Sequence, residues 1–435
     1  MSDFYNHLLK TVFADADLTP ATLKKSPGLK HLVKINDRGA KQTDRPFEIR
    51  GSRTSGSDYG AVKTDSGVIG ARGDGERWSV RRGRIVHLVH VNVEDVMLSK
   101  NTSRDAWAQA RAHEVESGLG ELGQLVERQV FGNEGGAIGF ARYDDQVFGT
   151  SPTFSLTFEG ANKPAIKGLA VGDHVVISAT DGNNGAGSLV GSVGVVVEVS
   201  YSLGYARVGT TAAPTTAANP GAWTDNTSFF VFRKGFFNTS GVTANQVTPL
   251  AAYVPLTWSG STPALNGVTR NVNEVTAGFR LLAADLIGLN YRERIEELAA
   301  NMSEQGLGGS GYVCIMSPKD WTVMSRQEKE LSANAPVSGS ADFGFTSITI
   351  QTALGPVKCI AHPNKQRGDG LLIPQDDNGP ELDCAEGKIA SIPNEWSAVA
   401  DTASTAAAPR LETLIMSICS LTIGNPAAYG RVSFA

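Results

Sequence analysis

The hydrophobic positions change period several times along the chain, and the changes divide it. Phe4, Leu8, Leu9, Val12 and Phe13 follow a helical spacing, and a basic stretch, LKKSPGLKHLVK, comes next. Pro20 and Pro27 prevent one continuous helix, so residues 1–40 are expected to form an arm. Between 41 and 85 short alternating stretches are separated by Gly, Ser and Asp, and apolar residues are sparse. Such a segment cannot build its own core. It reads as a two-stranded ribbon reaching away from the body, in need of a partner surface because isolated ribbons are marginal in water. Alternation continues in HLVHVNVEDV, a strand. Beyond it Trp107, Val115, Leu119, Leu122, Val126 and Val130 mark one stripe of a long helix, opened by the capping pair Thr102 and Asp105.

Residues 150–236 return to period two. FSLTFEG, HVVISATDG, SVGVVVEVSY, GYARVGT and SFFVFRKG are strands separated by Gly, Asn and Asp turns, the pattern of a small barrel. Residues 237–375 mix the two periods. A helix is expected from about Ala283 to Met302, then the strand GYVCIMS, a helix capped at Ser317, and strands in ITIQTALGPVKCIAHP and GDGLLIPQDD. Residues 376–435 add ELDCAEGKIAS and a final pair of strands, ETLIMSICSLTIGNP and YGRVSFA. The whole is an α+β chain, and 435 residues suffice for two or three cores.

Two matches to G-x-G-x-x-G raise the question of a nucleotide. The first, Gly118, Gly120 and Gly123, lies inside the helical stripe; the second, from Gly306 to Gly311, follows a helix and precedes a strand. A dinucleotide loop needs the reverse order, strand then helix, so that a helix N-terminus faces the pyrophosphate. The glycines therefore suit a helix that must bend or pack closely. Other chemistry is equally thin. HEVE at His113 lacks the second histidine of a zinc helix, Asp376 and Asp377 read as a turn, and His174 beside Asp173 reads as a solvent-side turn. The four cysteines make no C-x-x-C; Cys314 and Cys419 are expected as buried small apolar residues of a chain made in a reducing cytoplasm. No catalytic, cofactor-binding or metal-binding residue is proposed. A net charge of −5 argues against gripping nucleic acid over a broad surface.

The order of parts carries the remaining signal. An arm, an extended basic ribbon, a long helix, a mixed lobe and a returning terminal strand resemble the major capsid protein of tailed bacteriophages, the Hong Kong 97-type fold. The phrases YVCIMSPKDWTVM, HPNKQRGDGLLIPQDDNGPELD and SLTIGNPAAYGRV look alike too. The resemblance implies an N-terminal arm (1–40), an extension loop (41–85), a peripheral domain with its spine helix (86–149), an inserted β domain (150–236), an axial domain (237–375) and return strands (376–435). It implies pentamers and hexamers of this chain in an icosahedral head around double-stranded DNA, assembled in the host cytoplasm. Portal, scaffold and decoration proteins are the implied partners, with weak non-specific contact to DNA and no membrane. A nanocompartment shell of the encapsulin kind shares the fold and is the alternative; a hydrolytic enzyme is the rival from another class.

Charge suggests how neighbours would dock. Arg72, Arg77, Arg81 and Arg82, with Trp78 among them, crowd the ribbon, and the helix offers Glu114, Glu116, Glu121 and Glu127. A basic ribbon on one copy and an acidic helix on the next would pair, each rim contact adding little energy but setting register.

Overall fold

The computed structural model describes residues 22–23, 26–36, 42–48, 75–92, 104–132, 135–145, 153–159, 165–178, 194–210, 228–234, 246–256, 265–266, 268, 274–304, 311–331, 347–391, 397–399 and 410–434. The expected helical pattern of residues 4–13 and the capping residue Thr102 lie outside these. The N-terminal part gives a short helix, α1 (Pro27–Leu32), whose proline sits in the first turn, where a missing N–H is harmless. Strand β1 (Lys34–Asn36) follows, then β2 (Gln42–Glu48) and β3 (Gly75–Arg81), paired antiparallel from Gln42↔Arg81 to Glu48↔Gly75. The next strand is β4 (Gly83–Asn92), and the next helix is α2 (Arg104–Val130), 27 residues long.

α2 runs without a break through its G-x-G-x-x-G. The glycines serve close approach. A Cβ on Gly118 would stand 2.7 Å from Val89 Cγ2, and one on Gly123 would stand 2.5 Å from the Thr22 carbonyl. Gly118 thus lets the helix settle on β4, and Gly123 lets the N-terminal segment cross it. The predicted stripe is the buried one: Val115, Leu119, Leu122, Val126 and Val130 are fully enclosed.

Six strands then close a barrel: β5 (Gly139–Asp145), β6 (Thr153–Thr157), β7 (His174–Ser178), β8 (Gly194–Ser200), β9 (Tyr205–Thr210) and β10 (Ser228–Arg233), in the order β10-β5-β6-β9-β8-β7. Leu156, Val175, Ile177, Val196, Val208 and Val231 fill it. Five of these strands are those the alternation predicts. The sixth, GFARYDD, precedes the expected boundary at 150; Ala141 is its residue in the barrel core, and so small a side chain barely marks the pattern. Asp173 holds the turn before β7: its carboxylate accepts from the Ala170 N–H at 2.8 Å and pairs with Arg233 at 3.0 Å, while His174 is exposed.

The rest of the chain supplies α3 (Leu250–Tyr253), α4 (Glu274–Ala277), β11 (Phe279–Leu281), α5 (Tyr291–Glu304), β12 (Tyr312–Met316), α6 (Pro318–Leu331), β13 (Ser347–Thr352), β14 (Gly355–Ala361), β15 (Asp369–Pro374), β16 (Glu381–Cys384), β17 (Ser397–Val399), β18 (Arg410–Thr422) and β19 (Gly430–Ser433). The helix expected from Ala283 is split. Residues 283–286 form a 3₁₀ turn, Gly288 adopts φ +84°, and α5 starts afresh where Asn290 and Glu293 cap each other at 2.8 and 2.9 Å. α6 begins as predicted, with Ser317 Oγ accepting from the Asp320 N–H at 3.2 Å.

Two open sheets result. One has six strands in the order β11-β19-β15-β12-β14-β13. Its two faces are lined by different cores: Val313, Ile315, Leu371 and Ile373 join the cluster around α2, whereas Cys314, Met316, Leu372 and Val357 join the cluster under α5 and α6. The other sheet is β1-β16-β18-β17, with β4 along the other edge of β18 in register from Arg410↔Asn92 to Cys419↔Gly83. α2 packs on β4 and β18. All four cysteines are buried, as expected of Cys314 and Cys419. They also meet across strands: Cys314 faces Cys359, and Cys384 faces Cys419, joined as a disulfide. That pairing is not visible in the sequence spacing.

Candidate functional site

The root of the ribbon is part of the body. Trp78 is 0% exposed, which corrects its expected place on a contact surface. Its ring stacks on Phe47 and meets Tyr253 edge-on, both at 4.9 Å between centroids, and its Nε1–H reaches the Gly424 carbonyl at 3.4 Å. The sparse apolar residues of this segment do not make a core alone; they complete one to which Tyr253, about 175 positions away, contributes. Polar anchors reinforce the join. Arg45 donates to the carbonyls of Asp377 (2.7 Å) and Gly379 (3.1 Å) and lies 3.5 Å from Glu381, and the hydroxyls of Thr43 and Ser420 are 2.8 Å apart.

The arginines divide by position. Arg72 lies outside the described residues. The Arg77 side chain is 72% exposed and only 3.8 Å from the similarly open Asp44. Arg81 is also exposed. Arg82 is half-buried, and its Nε and one terminal nitrogen are shielded from solvent with no hydrogen-bond partner. A guanidinium in that state gains from any acceptor that can reach it.

The four glutamates of α2 divide likewise. Glu114 and Glu121 are exposed and seven residues apart, so they share one face, and Glu121 lies 3.5 Å from His87. Glu116 is half-buried. Glu127 is 2% exposed and belongs to the core, a second correction: its Oε1 is 2.7 Å from His362 Nε2 and accepts from the Gly28 N–H at 3.1 Å. This contact ties α1, α2 and the end of β14 together. Position 127 lies one turn before the enclosed Val130 and Phe131, which places it at the edge of the buried stripe despite its charge.

One surface has no counterpart in the sequence reading. Ile85 and Val89 of β4 point at α2, while Val86 and Leu88 point the other way and are each 45% exposed. Their partners on β18, Met416 and Leu414, are half-covered on the same side. The clue lies in the run RIVHLVH: apolar residues occupy both parities, so both faces of the strand call for a cover. At the other end of α2, Arg128 meets the barrel. Burial, then the charge of Arg233, lowers its pKa.

Titratable side chains elsewhere are structural. Burial pushes the Asp369 carboxyl up, but Arg431 at 2.6 Å and Lys365 at 2.5 Å more than reverse it and hold it below the usual range. Asp320 is raised by burial, against hydrogen bonds from Gly368 and Ser317. Tyr312, enclosed in β12, is pushed up to about 12 by burial. Among the described residues no three His, Cys, Asp or Glu side chains gather as metal ligands would.

No protein-family model matches the chain, and no curated protein matches it in sequence. Solved structures do match. The capsid asymmetric unit of cyanophage A-1(L) is 10% identical, with 94% of this chain and 92% of that one covered and a TM-score of 0.50. The capsid asymmetric unit of cyanophage Pam1 (12% identity, 95% and 93% covered, TM-score 0.37) and the procapsid of satellite phage P4 (10%, 97% and 93%, TM-score 0.39) match more loosely and add no weight of their own. The chain thus shares its overall fold with a solved phage capsid along nearly its whole length, and it has the tailed-phage major capsid fold, of the Hong Kong 97 type.

Proposed function

We propose that this chain is the major capsid protein of a tailed phage, a structural and non-enzymatic subunit that assembles with itself into pentamers and hexamers of an icosahedral head. Agreement in overall fold with a phage capsid asymmetric unit, over 94% of this chain at a TM-score of 0.50, carries this reading. Heterologous contacts, one surface against a different one on the next copy, close into such rings. Portal, scaffold and decoration proteins are its proposed partners, the host cytoplasm its place of assembly, and double-stranded DNA its contents. The net charge of −5 suits a container whose wall grips its contents weakly.

The arginine-to-glutamate docking is kept in narrower form. In this form Arg72, Arg77, Arg81 and Arg82 pair with Glu114 and Glu121 of the neighbour; Trp78 and Glu127 drop out because they are enclosed in their own chain, and Glu116 because it is half-buried. The barrel from Gly139 to Arg233 is the proposed insertion. Electron microscopy and light scattering on purified protein test the reading. Uniform shells tens of nanometres across are expected, filled with DNA in particles from infected cells. A small oligomer that stays small when scaffold and portal are co-expressed overturns it. The double substitution Arg81→Glu and Arg82→Glu is expected to leave a folded subunit that makes no shells; intact shells would remove the docking scheme and leave the capsid reading standing.

A further inference from the structure

The four cysteines of the chain form two cross-strand pairs with different fates. Cys314 and Cys359 face each other in the parallel ladder of β12 and β14 and are not joined as a disulfide. Cys384 and Cys419 face each other in the antiparallel ladder of β16 and β18, with Cα atoms 4.2 Å apart, and are joined. Both residues of the joined pair are 0% exposed. β16 stands between β1 and β18, so the bond fixes the strand through which the N-terminal edge reaches the rest of its sheet. β18 is the strand on which β4 and α2 also rest.

We propose that Cys384 and Cys419 are a redox lock of the shell, open as thiols during assembly and closed as a disulfide once the particle has left the cell; the timing rests on the capsid reading, the place on the structure. Thiols persist in a reducing cytoplasm, and disulfides form and last outside it. In the closing step two S–H bonds break and one S–S bond forms. Two electrons and two protons pass to molecular oxygen, which leaves as hydrogen peroxide. Enclosure of both sulfurs makes closure slow, so it follows folding and assembly, and reopening needs prolonged exposure to a small reductant. The closed pair spans 35 residues and limits the unfolded chain to a loop of that length. The lock raises the resistance of the particle to unfolding at a stage when no new subunit can replace a lost one.

The test uses particles harvested anaerobically and divided before exposure to air. Each half is denatured, alkylated and mapped by mass spectrometry, and its melting midpoint is measured. Four alkylated cysteines are expected at harvest, and only Cys314 and Cys359 after ageing in air, with a midpoint higher by roughly 5 °C. Reductant added to aged particles is expected to return the lower midpoint. The variant Cys384→Ala with Cys419→Ala is expected to show no rise in air. The proposal is overturned by free Cys384 and Cys419 after ageing, by a bridge already complete at harvest, or by aged and reduced particles that melt together. Wild-type particles alone decide the matter if the double variant does not fold. The thiol map can also be read on an unassembled subunit, so failure of the lock is distinct from failure to form shells.

Discussion

The two sheets of this chain handle burial in opposite ways. The six-stranded sheet is finished within one chain: β12 and β15 are buried at every position, one face against the α2 cluster and the other under α5 and α6. Its charged groups are internally matched, with Asp369 held by Lys365 and Arg431, and Arg431 also donating to the Val254 carbonyl at 3.1 Å. Among the described residues, the sheet of β4 and β18 is covered on one face only. α2 covers Ile85, Val89 and Ile415, while Val86 and Leu88 meet solvent. A region that satisfies itself stabilises the subunit. A region that leaves apolar surface open invites another molecule, which is what a shell requires of its subunits.

Breaking the finished sheet is expected to have the largest effect. Asp369→Asn leaves Lys365 and Arg431 enclosed beside a neutral amide, and removing one member of a buried charge set costs about 3–5 kcal/mol. Little soluble subunit should be recovered, and denaturant titration of what remains should show the loss; wild-type stability would contradict the contrast between the sheets. The same group sets an acid limit. Its pKa is lowered on folding, so its contribution is complete above about pH 4 and fades as pH falls through the lower folded value. Acid unfolding of Asp369→Asn should lack that component.

Next in size is Leu372→Ala in β15, 1% exposed beneath the two helices. A cavity there should cost about 2–5 kcal/mol in chemical unfolding. Gly118→Ala should cost less. A methyl group 2.7 Å from Val89 forces the helix off β4, and overpacking of this kind costs about 1–3 kcal/mol, partly offset by roughly 1 kcal/mol of better helix propensity. A neutral result would mean that α2 can slide on the open sheet, and would weaken the idea that the covered face is as well fitted as the six-stranded sheet.

How much of this could be read beforehand follows from how local the cause is. The five predicted barrel strands, the apolar run of β12 and the Ser317 cap depend on neighbours in sequence, and the periodicity marks them. The division of the helix after Ala283 was also local, but its signal, Asn290 paired with Glu293, is weaker than the apolar spacing that runs across it. Trp78 and Glu127 are not legible as core residues for a different reason. Tyr253 and His362, which enclose them, lie about 175 and 235 positions away, and no local pattern announces a partner at that range. The cysteine pairs depend on strand register in the same way. Of the proposed assembly surface the charge is legible in the sequence and the apolar part is not, because an alternating strand is ordinarily given one wet face.

The smallest expected effect on the subunit is also the most informative. Val86 and Leu88 are nearly half exposed, so Val86→Ser with Leu88→Ser removes little burial within one chain. Unfolding of the unassembled double variant should stay within about 1 kcal/mol of wild type, as exposed substitutions usually do. Assembly should respond far more strongly, since an apolar strip covered by a neighbour contributes roughly 25 cal/mol for each Å² it loses to solvent, repeated at every contact of the shell. Sedimentation of the assembly reaction measures this directly. Normal shells from a normal subunit would make the open face idle surface. A subunit strongly destabilised before assembly would show that something in its own chain already covers it. Loss of shells from a stable subunit is the outcome that makes the unfinished face the counterpart of the finished one.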